Sequence, residues 1–457
     1  MNPRNQRSFW HPEFPVVPRR LPVFYGWVIV VLSTVGICAS MPGQTMGVSV
    51  FTTRLTEALG LSAMQLSVAY MIGTLLSATG LSKGGRYFDA AGARKAIVLS
   101  LASLGVVLIG LSFVDRIAMT VRQWGLFGAM EWLAPFVVIT LGFGLLRFTG
   151  QGMVTLSSRA MLGKWFDKRR GTVTAVSGAI VSFAFSGAPI ALEYMIRGFG
   201  WQGAWRVMGL FMLLGLAVLF WVFARDNPEE CGLEMDGGFV GKARKENLDA
   251  VIYRDFTKEE AQRTFAFWAF TLTFALQSLV GTAYAFHVIA VGEELAVGRD
   301  YILGLFVPSA AVAVVTGFAV AWLSDLSFVR VKYLLLAMGL GGFLGFGALG
   351  AGDYPEVGWL HAIGFGISGG CFGSLSTIVY PRFFGRSHLG AINGMFMTMI
   401  VVASAVGPFF FSWCESAFGS YRAGFVLSAV VAAGLAVAAL RADNPQRKVP
   451  PAGGGGR

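Results

Sequence analysis

Arg147 sits well inside an apolar run, with Gly150 and Gly152 close behind it. A guanidinium stays charged at any physiological pH, so its natural counterpart there is an anion, a carboxylate above all. His287 lies in another apolar run, and an imidazole titrates near neutrality when unperturbed, which suits proton transfer. Gln44, beside the break that Pro42 and Gly43 make in its apolar run, and Gln151, Gln277, Tyr284 and Asn393 add neutral polar groups that orient a solute without adding charge. A second set is clustered between two apolar runs: Gly85, Asp89, Gly92, Arg94 and Lys95. The spacing from Asp89 to Arg94 returns from Asp325 to Arg330, with Lys332 behind it, in a copy that keeps the charges but loses the turn glycine. A carboxylate at a helix end can hold a cation, or cap a neighbouring helix, in one conformation and lose that partner in another. Such a pair is a latch.

Catalytic constellations are missing from the pattern. There is no phosphate-cradling glycine loop ending in Lys, no pair of acids within an apolar run, and no cluster of Cys or His. Cys38, Cys231, Cys371 and Cys414 are far apart. Neither an enzyme, nor a metal site, nor a cofactor is expected, and ATP-driven pumping is excluded.

Those residues must be positioned by elements that live in lipid. Of 457 residues, 55% are hydrophobic and 13% charged, and the mean hydropathy is +0.64. Water cannot be the main solvent of such a chain. Apolar stretches near the ~20 residues that cross a bilayer as helix fall at 24–46, 64–84, 96–114, 133–157, 171–193, 203–224, 265–291, 301–323, 333–351, 358–380, 389–413 and 422–441. The net charge of +11 is dispersed over loops, without the basic and aromatic stripe that nucleic acid requires.

Alternate loops collect the positive charge, including Arg19, Arg20, Lys83, Arg86, Lys164, Arg169, Arg170, Lys332, Arg382 and Arg386. That bias places both termini and the middle loop in the cytoplasm, in the cell (inner) membrane. The expected organisation is a cytoplasmic N-terminal segment 1–23, a six-helix bundle 24–224, a cytoplasmic linker 225–264, a second bundle 265–441 and a disordered tail 442–457. Ile37 to Ser40 could pass for the end of a cleavable signal, but its removal would leave the first bundle one helix short.

The two bundles look like copies. Asp226-Asn227-Pro228 closes the first and Asp443-Asn444-Pro445 the second. The offset is 236 residues between Asp89 and Asp325 but 217 between Asn227 and Asn444, so the first half is longer by 19. The excess lies between Val114 and Leu133, where Arg122, Gln123 and Trp124 mark an amphipathic insertion at the outer interface. Glu193 and Glu415, near the outer ends of the fifth and eleventh spans, are read as outside gates or interfacial charges.

Gly85 to Lys95 resembles, almost position for position, the loop signature after the second helix of the major facilitator superfamily, and Arg147 to Gly152 resembles the Arg and glycine motif of its fourth helix. Tyr25-Gly26-Trp27, Lys164-Trp165-Phe166, Asn227-Pro228-Glu229 and Phe383-Phe384-Gly385 are similar to the oxalate/formate antiporter and monocarboxylate transporter branches. The resemblance implies an all-α membrane protein of twelve transmembrane helices in two parallel six-helix repeats. It implies a secondary active transporter that moves a small organic anion, a mono- or dicarboxylate, by alternating access, with protons or by exchange. In those branches basic side chains on the first, eighth or eleventh helix hold the substrate; here those spans contain no Lys or Arg, which argues against oxalate. Arg147 is then the residue expected to face the substrate cavity. Two other functions fit the composition: a proton-driven exporter of amphipathic drugs, and a transporter-like receptor that moves nothing.

Overall fold

The computed structural model describes residues 9–128, 130–166, 169–238, 252–324, 326, 328–351, 357–385 and 388–448. Among them are helices and turns and no strand. The chain divides into two compact units, Met1–Ala243 and Arg244–Arg457.

The first unit begins its crossings with α1 (Gly26–Ala39). Tyr25, fully buried, donates its hydroxyl to the Phe223 carbonyl at 2.6 Å, its ring packs on Trp165, and Trp27 packs on Phe166. The short aromatic motifs of the sequence therefore tie the first, fourth and sixth spans together at one end. The span at 24–46 is broken where Pro42 and Gly43 stand. A tight turn at Met41–Gly43 interrupts it, Gln44 is extended (φ −88°, ψ 159°), and α2 (Thr45–Ser49) and α3 (Thr52–Leu59) follow. Pro42 cannot donate the backbone bond that would continue α1.

α4 (Ala63–Ala91) starts from a reciprocal cap in which Ser62 Oγ accepts from Gln65 N and Gln65 Oε1 accepts from Ser62 N. α5 (Ala93–Leu111) begins after a single residue, Gly92, at φ +85°. The charged loop expected there is thus no loop at all: Asp89 lies on the last turn of α4 and Arg94 on the first turn of α5. The insertion is α6 (Val114–Gln123), which buries Val114 and Ala118 and exposes Ile117 and Met119.

α7 (Leu133–Leu146) runs through a wider π-type turn, Arg147–Val154, into α8 (Thr155–Trp165). α9 (Arg170–Leu210) and a second π-type stretch, Phe211–Leu216, lead to α10 (Ala217–Phe223). The apolar part of that run, 51 residues, would measure ~77 Å as straight helix, far beyond a ~30 Å hydrocarbon core. Gly200 (φ 70°, ψ 168°) breaks it into the fifth and sixth crossings.

The second unit contains α11 (Lys258–Gln262), α12 (Phe265–Glu294), α13 (Arg299–Gly304), α14 (Phe306–Ser324), α15 (Val331–Ala351), α16 (Gly358–Phe384), α17 (Leu389–Phe418) and α18 (Arg422–Ala439). Thr257 and Glu260 form the capping box read from the sequence. α15 packs on α16 and α18, α14 on α16, and α12 on α17. Lipid tails are as apolar as the side chains, so close backbone contact has to hold such helices together. A Cβ on Gly364 would lie 2.4 Å from the Gly345 nitrogen. Phe267, Phe270, Phe274, Tyr380, Phe383 and Phe384 fill one end of this unit.

The described parts of 225–264 belong to the units rather than hanging between them. Arg19 Nε donates to the Cys231 carbonyl at 2.5 Å, and Asp236 accepts from Arg169 N. On the other side, Phe256 N donates to the Phe384 carbonyl. Among the described residues eleven helices are long and apolar enough to cross a membrane, and one of them is double. The chain is an all-α membrane protein of twelve transmembrane helices, six in each unit.

Candidate functional site

Arg94 is 2% exposed, and its guanidinium meets backbone carbonyls. Nε donates to Trp221 O at 2.9 Å, Nη2 to Trp221 O and to Phe14 O, and Nη1 to His11 O at 3.1 Å. Trp10 covers it, with Lys95 over the same ring. The N-terminal segment is therefore pinned at residues 10 to 16, where Arg225 also donates to Val16 O. Asp226, the first residue of the repeated closing motif, accepts from Arg94 N at 2.7 Å and so caps α5. Gly92 lets it approach: a Cβ there would lie 2.6 Å from Asp226 Oδ2.

The second unit repeats this arrangement with a shift. Spacing pairs Arg94 with Arg330, yet Arg94 is the second residue of α5 and Lys332 the second of α15. Lys332 Nζ donates to Leu440 O at 2.9 Å and pairs with Asp443 Oδ1 at 2.8 Å, whereas Arg330 is exposed and 3.9 Å from Asp443. Lys332 is thus the counterpart of Arg94. Asp325 lies outside the described residues, and Gly85 and Asp89 are placed on α4 without their surroundings.

Asp226→Ala should cost about 1 kcal/mol as a lost helix cap, and Asp443→Ala less, because Asp443 is half exposed and its ion pair is screened. The hydrogen bond from Lys332 is the main reason that the Asp443 carboxyl titrates below its usual range. Its contribution is present at neutral pH and vanishes as pH falls through that lowered value. Melting curves of the two variants in detergent, at neutral and acid pH, check both points; equal losses at neutral pH would contradict the cap.

Arg147 opens the π-type turn, 2% exposed, against the break in the first span. Nη1 lies 3.4 Å from Gly43 O and 3.3 Å from Thr45 Oγ1. The guanidinium sits 5.2 Å from the Tyr70 ring centre, and the Tyr70 hydroxyl bonds Thr45 Oγ1 at 2.8 Å. Nε is buried without a partner, and no carboxylate among the described residues pairs with the group. Gln44 Nε2 donates to Ser40 Oγ at 3.1 Å and to Thr155 Oγ1 at 3.4 Å. Gln151, on the same turn as Arg147, is exposed. The structure so gathers Arg147, Gln44 and Gln151 around one break, and adds Tyr70, Thr45 and Thr155, which no motif marked. Glu193 is held more tightly than an interfacial charge: Arg54 grips both its oxygens at 3.0 and 3.1 Å, and Arg197 lies at 3.5 Å.

Among the described side chains, the candidates of the second unit have separate partners. His287 is 4% exposed, with Nε2 2.9 Å from Pro408 O and 3.3 Å from Ser412 Oγ, its ring against Tyr421. Gln277 Oε1 accepts from Ser368 Oγ at 2.7 Å. Tyr284 lies in an aromatic cluster with Phe306, Phe365, Phe425 and His361. His361 was missed, although the same rule that singled out His287 applies to it; its Nδ1 is 3.0 Å from Gly345 O. Asn393 is on the first turns of α17, its surroundings outside the described residues.

Known proteins share this architecture. A bacterial homolog of the human lysosomal transporter Spinster, in an inward-facing and occupied conformation, superposes with a TM-score of 0.62 at 15% identity, over 93% of this chain and 99% of that one. The nucleoside transporter NupG gives 0.61 at 13%, over 92% and 99%. At these identities the likeness concerns the fold. Monocarboxylate transporter 11 of Mus musculus is 28% identical over 309 residues, which are 63% of this chain and 62% of that protein. The Homo sapiens form is 27% identical over 63% and 59%. The match thus spans about three fifths of those relatives' length. The profile of the Major Facilitator Superfamily fits residues 116–381, more than half of the chain. With six crossings in each unit and a sequence that fits that family from just after the third span to the end of the tenth, the chain belongs to the major facilitator superfamily, as an integral membrane transporter rather than an enzyme.

Proposed function

We propose that the protein is a secondary active transporter of a small organic anion, a mono- or dicarboxylate, that works by alternating access with a proton or a counter-anion. The observation that carries this reading is Arg147: a cation buried at membrane depth whose partners are neutral and whose Nε is unmet. A central Arg costs roughly 2.5–3.5 kcal/mol to insert, and a carboxylate is the ligand that offsets such a charge with two hydrogen bonds. The likeness to monocarboxylate transporter 11 supports the same substrate class. His287, Gln44, Gln151, Gln277, Tyr284 and Asn393 are the further candidates for substrate or proton contact, and Gly85, Asp89, Gly92, Arg94, Lys95, Asp325 and Arg330 for the gate. The positive-inside bias supports both termini on the cytoplasmic side of the cell (inner) membrane, with 24–224 and 265–441 as the two bundles.

Purified protein in liposomes should take up small carboxylates, and uptake should rise several-fold with an inward proton gradient or a load of counter-anion. Uptake indifferent to both gradients overturns the coupling. Flux of amphipathic drugs without flux of carboxylates turns the assignment to drug export.

A further inference from the structure

The end of the first unit opposite Arg94 holds a polar cavity that carboxylate transport leaves unused. α5 ends there, α6 lies across it, and the chain returns after Gly200. A cavity of about 230 Å³ is lined by Ser112, Asp115, Arg116, Phe199, Gln202 and Arg206. It contains both signs of charge, yet they do not neutralise one another. Arg206 Nε donates to Ser112 Oγ at 3.2 Å, and its guanidinium lies over the Phe113 ring at 4.6 Å. Arg116 lies over the same ring at 5.8 Å. Asp115 Oδ1 is buried without a hydrogen-bond partner. Two guanidiniums and an unmet carboxylate oxygen complement a ligand with a phosphate and an ammonium on one short tether.

We propose that this cavity binds the phosphoethanolamine headgroup of a membrane lipid, with the phosphate on Arg116 and Arg206 and the ammonium on Asp115. The surroundings favour a lipid over a soluble zwitterion. Ile117 (43% exposed) and Met119 (57%) present apolar surface on the same helix as Asp115 and Arg116, and Trp124 (65%) and Leu126 (69%) continue it past the end of that helix, where acyl chains of a bound lipid would cover it, and Trp suits the membrane interface. The insertion that lengthens the first half thereby gains a task.

Thermal melting of delipidated protein tests this with phosphatidylethanolamine, phosphatidylcholine and phosphatidylglycerol of equal chains, and with soluble phosphoethanolamine. Phosphatidylethanolamine should bind about tenfold more tightly than phosphatidylcholine, whose quaternary ammonium has no N–H for Asp115. Asp115→Asn should erase that preference, and Arg206→Gln should abolish the response; the exposed Arg116→Gln, which leaves the fold alone, should weaken it. Equal responses to the three lipids, or variants that keep the preference, overturn the site. A shift with soluble phosphoethanolamine equal to that with lipid overturns the lipid as occupant. None of these readouts depends on transport.

Discussion

Arg147→Gln should lower carboxylate uptake by about 10- to 100-fold while the protein inserts normally and melts within a few degrees of wild type. The two halves of this expectation have separate causes. The guanidinium contacts its neutral neighbours at 3.3 and 3.4 Å, long enough to contribute little, and removing a buried charge also removes the penalty of placing it there. Stability should therefore change little. A hydrogen-bonded contact to a charged ligand is worth roughly 1.5–3 kcal/mol, and each ~1.4 kcal/mol is tenfold, which sets the loss in transport. Arg147→Lys should fall between, since it keeps the charge without the planar fork. His287→Gln should be milder, because a Gln amide can still donate to Pro408 O, the contact that the ring makes now. Uptake per folded molecule and the melting temperature, measured on the same preparations, decide the matter. A large drop in melting temperature with normal uptake by the folded fraction would make Arg147 a structural tie.

The membrane architecture could be read from the residues because each crossing is an apolar run with its own length, and lipid allows few ways to satisfy its backbone. The two repeated motifs were equally visible. Their meeting was not. Arg94 ends on the carbonyls of His11, Phe14 and Trp221, and a carbonyl has no letter in a sequence. Asp226 caps α5 across 132 positions of chain, a distance no local pattern bridges. Spacing alone also does not tell which of Arg330 and Lys332 takes the place of Arg94: it counts residues between charges, whereas the partner is set by where the helix starts, and α15 starts at Val331. At the candidate site, Arg147 and Gln44 stood out as polar letters in apolar runs, but Tyr70 and Thr45 did not, since Tyr and Thr are common in helices near an interface. Pro42 and Gly43 announced a break in the first span; that Arg147 would point at it depends on which helices pack together.

Gly43→Ala should damage both stability and transport, and the damage should depend on Gly150. A Cβ on Gly43 would lie 2.7 Å from Gly150 Cα and Leu146 O and 2.8 Å from Gln151 N, and one on Gly150 would lie 2.8 Å from Gly43 Cα. All are backbone atoms, so no side chain can swing away. The first and fourth spans must separate, at a cost of about 1–3 kcal/mol for an overpacked contact. Separation also draws Gly43 O from Arg147, whose bond to it is already long. Carboxylate uptake should then fall by roughly tenfold or more, since a small displacement at a binding site is costly. Gly110→Ala is the control: a Cβ there meets nothing within 4 Å, and helix propensity alone predicts a slight gain. Because Gly43→Ala and Gly150→Ala open the same approach, the second should cost less than the first, and the double variant should melt above the additive expectation. Strict additivity would mean that the two glycines do not share one contact and that the crossing beside Arg147 is looser than its distances indicate.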